Sequence, residues 1–120
     1  MLIVDDDADI RSMYAWRLRA SGWIVAEIED GAEAVDAVHW FRPDAVVMDI
    51  RLPHVDGLEV ARRIKADPQL AGVPILVCTG ALDGELEAEA KESGCDAFVR
   101  KPCLPDDLRE ALEDLVRSRT

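Results

Sequence analysis

The sequence is short of basic residues. Its 120 residues include 14 Lys and Arg against 25 Asp and Glu, which gives a formal net charge of −11. A protein that binds DNA or an anionic membrane directly needs a basic face to contact phosphates. We therefore predict neither nucleic acid nor membrane as a direct partner of this chain.

Cysteine is also scarce. Cys78, Cys95 and Cys103 are an odd number, with neither CxxC spacing nor a histidine cluster beside them. This pattern indicates neither a disulfide framework nor a zinc site. It fits a reducing compartment, so we expect a cytoplasmic protein.

Long apolar runs are missing as well. No run approaches the roughly 18 residues of a membrane span, and residues 1–4 are too short for the apolar part of a signal peptide. Hydrophobic residues still make up 49% of the chain, which is enough for a buried core. We expect one soluble domain over residues 1–120.

Short apolar runs alternate with stretches of helical spacing. The runs of strand length cover residues 2–4, 23–28, 45–48, 75–78 and 97–99. The helical stretches begin with Ile10, Met13, Tyr14 and Leu18. Five such alternations predict an α/β fold in which helices cover both faces of a parallel sheet. The carboxyl ends of all strands then lie at one edge, where such folds bind ligands.

Polar residues follow four of these runs. Asp5 and Asp6 follow the first, Asp49 the third, Thr79 the fourth and Lys101 the fifth. Three carboxylates close together are unfavourable without a cation, and this donor set suits Mg²⁺ better than a calcium cage. A carboxylate held there could attack a phosphoryl group whose oxygens Lys101 neutralises, which would form an acyl phosphate.

Four segments together resemble a response-regulator receiver domain. They read IVDDDADIR, VVMDIRLPHVDGLE, ILVCTG and FVRKP, and the match runs from about Leu2 to Leu115. The resemblance implies a flavodoxin-like (βα)5 fold, doubly wound, with strand order 2-1-3-4-5. The order comes from the resemblance and not from the spacing of the runs.

The resemblance also implies a role for individual residues. Asp49 would accept the phosphoryl group, with Thr79 and Lys101 assisting. Magnesium, or Mn²⁺ as a substitute, would be held by Asp5, Asp6, Asp49 and the backbone carbonyl of Arg51. Thr79 and Phe98 would act as the switch pair, and the Lys101–Pro102 peptide would be cis.

The function implied is a signalling switch of a two-component phosphorelay. A histidine kinase or histidine phosphotransfer protein would donate the phosphoryl group, and a downstream output domain or protein would read the changed surface of the fourth helix, fifth strand and fifth helix. The chain would catalyse only its own phosphorylation and dephosphorylation, and so is not classed as an enzyme. Trp16 lies where the resemblance places kinase docking, although partial burial is an equal alternative.

Several positions depart from the family pattern. Cys103 and Leu104 replace the usual phenylalanine and capping residue. Ala97 and Phe98 replace an acid and a tyrosine that are common in receivers dimerising through this surface, so we expect a monomer or a weak dimer. Arg51, together with Ala81, either tunes access to the site or is a solvated loop residue.

Three other functions are weighed against the switch. A magnesium-dependent phosphatase of the haloacid dehalogenase type also forms an aspartyl phosphate, but it needs a second Asp where Arg51 stands. A flavin or nucleotide binder needs a Gly-, Ser- or Thr-rich loop where Asp5 to Asp7 stand. A degenerate receiver used only for binding is disfavoured because the site residues are intact.

Overall fold

Five parallel strands form the sheet of the computed structural model, which describes residues 1–80 and 83–118. The strands are β1 (Leu2–Val4), β2 (Ala26–Ile28), β3 (Val46–Met48), β4 (Ile75–Thr79) and β5 (Ala97–Arg100). Their order is β2-β1-β3-β4-β5, which confirms the doubly wound fold and the order that the resemblance implied. Ala81 lies outside the described residues.

A helix follows each strand. The helices are α1 (Ala8–Ala20), α2 (Ala34–Phe41), α3 (Gly57–Ala66), α4 (Gly84–Glu92) and α5 (Pro105–Arg117), with a 3₁₀ turn (Gly31–Glu33) before α2. Side chains of Asp7, Asp56 and Asp83 accept hydrogen bonds from the first backbone N–H groups of α1, α3 and α4. Leu104 precedes α5 without such a bond. At 13 residues α1 and α5 are the longest helices described, and no helix in the described ranges is long and apolar enough to cross a membrane.

Four strand boundaries differ from the predicted ones. The third strand begins one residue later, at Val46, and the fifth ends one residue later, at Arg100. The second strand begins at Ala26 rather than residue 23, because the Trp23 N–H donates to the Leu18 carbonyl and so belongs to the turn that ends α1. The fourth strand extends to Thr79, which pairs with Arg100 of β5. Thr79 is therefore held within the sheet and does not lie in the loop after it.

The sheet separates two apolar cores. Along β1, Leu2 and Val4 pack on the side of α2 and α3, whereas Ile3 packs on the side of α1 and α5. Every residue of β1, β3 and β4 is buried. Continuous apolar strands are typical of a parallel sheet covered on both faces, so the polar chemistry is confined to the strand ends.

Gly57 allows the loop after β3 to turn back on itself. Its N–H donates to the Ile50 carbonyl at 2.7 Å. A Cβ atom at this position would lie 2.3 Å from the carbonyl oxygen of Asp49 and 2.8 Å from the Cα of Ile50. The first residue of α3 therefore packs directly on the backbone of Asp49.

We expect Gly57→Ala to destabilise the fold by about 1 to 3 kcal/mol, because the added methyl group meets backbone that cannot rotate away. Urea denaturation measures the change. Gly72→Ala is the matched control, since no atom lies within 4 Å of a Cβ there. Equal unfolding free energies for the two variants would contradict the close approach.

Candidate functional site

The sheet places two carboxylates side by side at its carboxyl edge. Beyond the end of β1, the Asp5 N–H donates to the carbonyl of Ile28 at 3.1 Å. Beyond the end of β3, the Asp49 N–H donates to the carbonyl of Val4 at 3.1 Å. The ladder of backbone hydrogen bonds thus extends one residue past each strand, which fixes the backbone of both acids.

Asp6 completes a cluster of three carboxylates. One oxygen each from Asp5, Asp6 and Asp49 lies within 4.8 Å of the others. Asp5 is buried, Asp49 is half-buried and Asp6 is exposed. Oxygen donors at this spacing are what a hard divalent cation prefers, so the residues present fit a metal ion.

Lys101 supplies the positive charge within this cluster. Its Nζ donates hydrogen bonds to Asp5 Oδ2 and to Asp49 Oδ2, both at 2.9 Å. Burial by itself lowers the pKa of Lys101, but the hydrogen bonds and charges of the two carboxylates outweigh it and raise the pKa above its usual value. Lys101 therefore stays charged and places a positive charge beside the two close carboxylates.

The backbone around Lys101 is fixed by its neighbouring strand. The Lys101 N–H donates to the carbonyl of Thr79 at 3.0 Å, and the Lys101–Pro102 peptide bond is cis. Thr79 is buried at the end of β4. Within residues 1–80 and 83–118, a Cβ atom added to the next residue, Gly80, would meet only the Cβ of Lys101, at 3.9 Å. The edge of the site between Thr79 and Lys101 is thus open enough for a small group.

Asp5 is held by contacts that motif spacing did not reveal. Its Oδ1 accepts the N–H of Asp7 at 2.9 Å, and its carbonyl accepts Nη1 of Arg11 at 2.8 Å. Arg11 is itself paired with Glu27, whose Oε1 lies 3.4 Å from Nε. The sequence offers one indication of the contact between Arg11 and Asp5: Arg11 lies in the first turns of α1, four residues after the run Asp5 to Asp7.

Asp49 is held on its other side by the loop toward α3. Its Oδ1 accepts the N–H of Arg51 at 3.2 Å, and Arg51 forms an antiparallel bridge with Asp56. The Arg51 residue is exposed at this edge. The two histidines, His39 and His54, pair with carboxylates of Asp67 and Asp30 and not with a nucleophile.

Phe98 lies in β5 and away from the carboxylate cluster. Its ring is half-buried against the core on the α4 side, and Lys91 Nζ of α4 lies 5.9 Å from the ring centroid. A movement of this ring would change the contact between β5 and α4. The structure thus places Phe98 between the sheet and the surface that the resemblance implicates in signalling.

Trp16 and Cys103 lie outside the carboxylate cluster. Trp16 is 69% exposed, so the alternative of partial burial is wrong. The Cys103 thiol has its pKa raised, first by burial and then by the charge of Asp107. Both effects disfavour the thiolate, which is the nucleophilic form of cysteine.

Comparison with known proteins decides the family. The model of the response regulator receiver domain matches residues 1–113. The chain belongs to the response-regulator receiver family. It is 30% identical to the chemotaxis response regulator CheY4 of Vibrio cholerae, with 95% of each chain covered and a TM-score of 0.89. A response regulator receiver domain protein from Methanospirillum hungatei gives a TM-score of 0.92 at 25% identity, covering 98% of this chain and 93% of that one.

Relatives in sequence include longer proteins. The DNA-binding response regulator MtrA of Mycolicibacterium paratuberculosis is 40% identical over 108 residues, which are 90% of this chain and 47% of that protein. The chain spans about half the length of the curated relatives it matches. It is a receiver domain of two-component signalling, and the phosphatase alternative is not favoured.

We expect Lys101→Met to lower the free energy of unfolding by about 1 to 3 kcal/mol at neutral pH, because Asp5 and Asp49 then face each other without a cation. Urea denaturation at low ionic strength measures the loss. Lys91→Met is the control, because this side chain is 65% exposed, and its contacts with Glu87 and with the Phe98 ring are each worth less than about 1 kcal/mol. The interpretation fails if the two variants lose the same stability.

Proposed function

We propose that this receiver is a phosphorylation-dependent switch that accepts a phosphoryl group onto Asp49 in the presence of Mg²⁺. The donor is a histidine kinase or a histidine phosphotransfer protein. The observation that carries the proposal is the 2.9 Å contact between Asp49 Oδ2 and Lys101 Nζ inside a cluster with Asp5 and Asp6. A carboxylate nucleophile, a cation for the phosphoryl oxygens and a set of metal-binding oxygens thus share one small volume.

Asp49 is the best nucleophile of the three acids. The Asp5 side chain is only 6% exposed, which leaves an incoming group little access to it. Asp6 is exposed and makes no hydrogen bond with Lys101. Asp49 combines the contact to Lys101 with a side chain that is 14% exposed. An incoming phosphoryl group can therefore reach Asp49 while Lys101 is beside it.

The transfer is a displacement at phosphorus. A lone pair of an Asp49 carboxylate oxygen forms the new P–O bond while the P–N bond of the donor phosphohistidine breaks. The leaving nitrogen takes the electron pair of the P–N bond, and the ring, which carries a proton on its other nitrogen during transfer, departs as neutral imidazole. Lys101 stabilises the charge on the phosphoryl oxygens. When bound, Mg²⁺, or Mn²⁺ in its place, neutralises further phosphoryl charge.

Dephosphorylation follows the same geometry with water as the nucleophile. Water attacks phosphorus, the P–O bond to Asp49 breaks, and the free carboxylate and inorganic phosphate are formed. The chain therefore acts catalytically on itself, and we assign it no other substrate. Its lifetime in the phosphorylated state depends on how easily water reaches this edge of the sheet.

The output of the switch is a change in the surface formed by α4, β5 and α5. Thr79 stands next to the space above Gly80, where its hydroxyl can bond a phosphoryl oxygen. Movement of Thr79 leaves room for Phe98 to turn inward, and this breaks its contact with Lys91. Phosphorylation thereby shifts a two-state equilibrium through a local change of charge. An output domain or a separate protein reads that change, with the receiver itself as a monomer or weak dimer.

The donor approaches along α1. A groove of about 330 Å³ beside Lys101 is lined by Ile10, Met13 and Pro102, among others. Trp16 and Leu104 are exposed apolar residues on the same two segments, α1 and the connection between β5 and α5. An apolar groove next to the nucleophile suits a partner that must bring a histidine to Asp49.

We expect the protein incubated with Mg²⁺ and phosphoramidate, whose phosphorus is bonded to nitrogen as in phosphohistidine, to gain the mass of one phosphoryl group. Asp49→Asn removes the nucleophile and abolishes the gain. Intact-mass spectrometry makes the measurement, with a chelator to remove the metal as a second negative.

Asp44→Asn is the matched control, because Asp44 is exposed and lies two residues before β3, at the opposite edge of the sheet. This variant is phosphorylated like the wild type. An unmodified wild type, or an Asp49→Asn variant that gains as much mass as the wild type, would overturn the proposed function.

We expect Arg51→Ala to shorten the lifetime of phosphorylated Asp49 by about threefold or more, a change of ~0.7 kcal/mol in the barrier. Arg51 is exposed beside Asp49, to whose Oδ1 its backbone N–H donates, and truncation of its long side chain opens a path for water. Loss of phosphoryl mass with time gives the rate. Arg63→Ala in the last turn of α3 is the control, and identical lifetimes for both variants would show Arg51 to be a solvated loop residue.

A further inference from the structure

Tyr14 places a hydroxyl group deep between α1 and the sheet. The residue is 3% exposed and packs in the core on the side of α1 and α5. Its hydroxyl donates to the backbone carbonyl of Cys103 at 2.9 Å, although the two residues are 89 positions apart. The same hydroxyl oxygen lies 3.9 Å from Sγ of Cys78.

The contacts of the Tyr14 hydroxyl with Cys78 and Cys103 join it to the two segments that carry Thr79 and Lys101. Cys78 directly precedes Thr79 in β4. Cys103 follows Lys101 by two residues, in the short connection between β5 and α5. That connection enters α5 at Leu104 without a side-chain cap, and the bond from Tyr14 ties it to α1 instead.

Lys101 is consequently held from two directions. On its N-terminal side, its N–H bonds the carbonyl of Thr79 in β4. On its C-terminal side, the carbonyl of Cys103 bonds Tyr14. The Tyr14 ring and Lys101 also line the same groove. Lys101 needs this support because its Nζ must contact Asp5 and Asp49 together, and an error of about 1 Å at such a site is costly.

The Tyr14 hydroxyl is well suited to donate a hydrogen bond at all working pH values. Burial, and then the neighbouring Cys78, raise the pKa of Tyr14 above its usual value. The group therefore stays protonated and remains a hydrogen-bond donor. A buried hydroxyl is stable only when it is paired, so the donor and the Cys103 carbonyl depend on each other.

We propose that Tyr14 is a positioning residue for phosphoryl transfer, whose hydroxyl holds the segment after Lys101 so that the ammonium group stays between Asp5 and Asp49. The inference rests on the proposed function, since it acts through Lys101 and Tyr14 itself touches no reacting atom.

Tyr14→Phe tests it, because the ring stays and only the hydroxyl is lost. With phosphoramidate at saturating Mg²⁺, we expect the phosphorylation rate constant to fall about three- to tenfold, the loss of one hydrogen bond. The Mg²⁺ concentration for half-maximal rate stays unchanged, because the three carboxylates are not displaced. Ser93→Ala is the matched control: it removes a buried hydroxyl that donates to the Glu89 carbonyl at the end of α4, and the rate stays at the wild-type value.

A double-mutant cycle separates positioning from a general loss of structure. In a Lys101→Ala background, Tyr14→Phe should cause no further loss of rate, because the group it positions is absent. A wild-type rate for Tyr14→Phe, or the same fold-loss with and without Lys101, would overturn the inference. If the wild type itself is not phosphorylated, the proposed function fails and not the role of Tyr14 alone.

Discussion

The whole site depends on one ammonium group. Lys101 Nζ lies 2.9 Å from an oxygen of Asp5 and from an oxygen of Asp49. Without a cation beside them, two carboxylates this close and partly buried would repel each other. With Lys101, three carboxylates and one ammonium group sum to a charge of −2. That sum is matched by a divalent cation, so the contact that offsets part of the negative charge of Asp5 and Asp49 leaves a site whose remaining charge suits a metal ion.

The fold tolerates this concentration of charge because it keeps the charge off the strands. Both faces of β1, β3 and β4 are buried, so stability comes from two apolar cores that do not include the acids. Parallel strands then bring Asp5, Asp49 and Lys101 to one edge without any of them leaving the backbone ladder. The chain can thus hold a cluster of like charges at its edge while the cores stay apolar.

The composition of the site could be predicted from the sequence, because a residue directly after an apolar run lies at the end of a strand. Asp5, Asp49, Thr79 and Lys101 each end a run, and parallel strands must bring such residues together. Strand adjacency could not be predicted in the same way. The apolar runs resemble one another, and nothing in their composition says that β1 lies between β2 and β3. The order therefore came from family resemblance, and the start of β2 was misplaced because Trp23 is apolar yet belongs to a turn.

The hydrogen bonds that support the site could not be predicted from the sequence, for a different reason. Arg11 and Tyr14 both bond backbone carbonyls, of Asp5 and Cys103, and every residue carries a carbonyl, so the partner leaves no trace in the sequence. In the apolar stripe of α1, Tyr14 has the periodicity that Phe would have. Its hydroxyl is still informative, because burying an unpaired hydroxyl costs about 1 to 3 kcal/mol. A tyrosine on a core-facing stripe thus implies an acceptor opposite it, and here that acceptor lies two residues beyond the lysine on which the site depends.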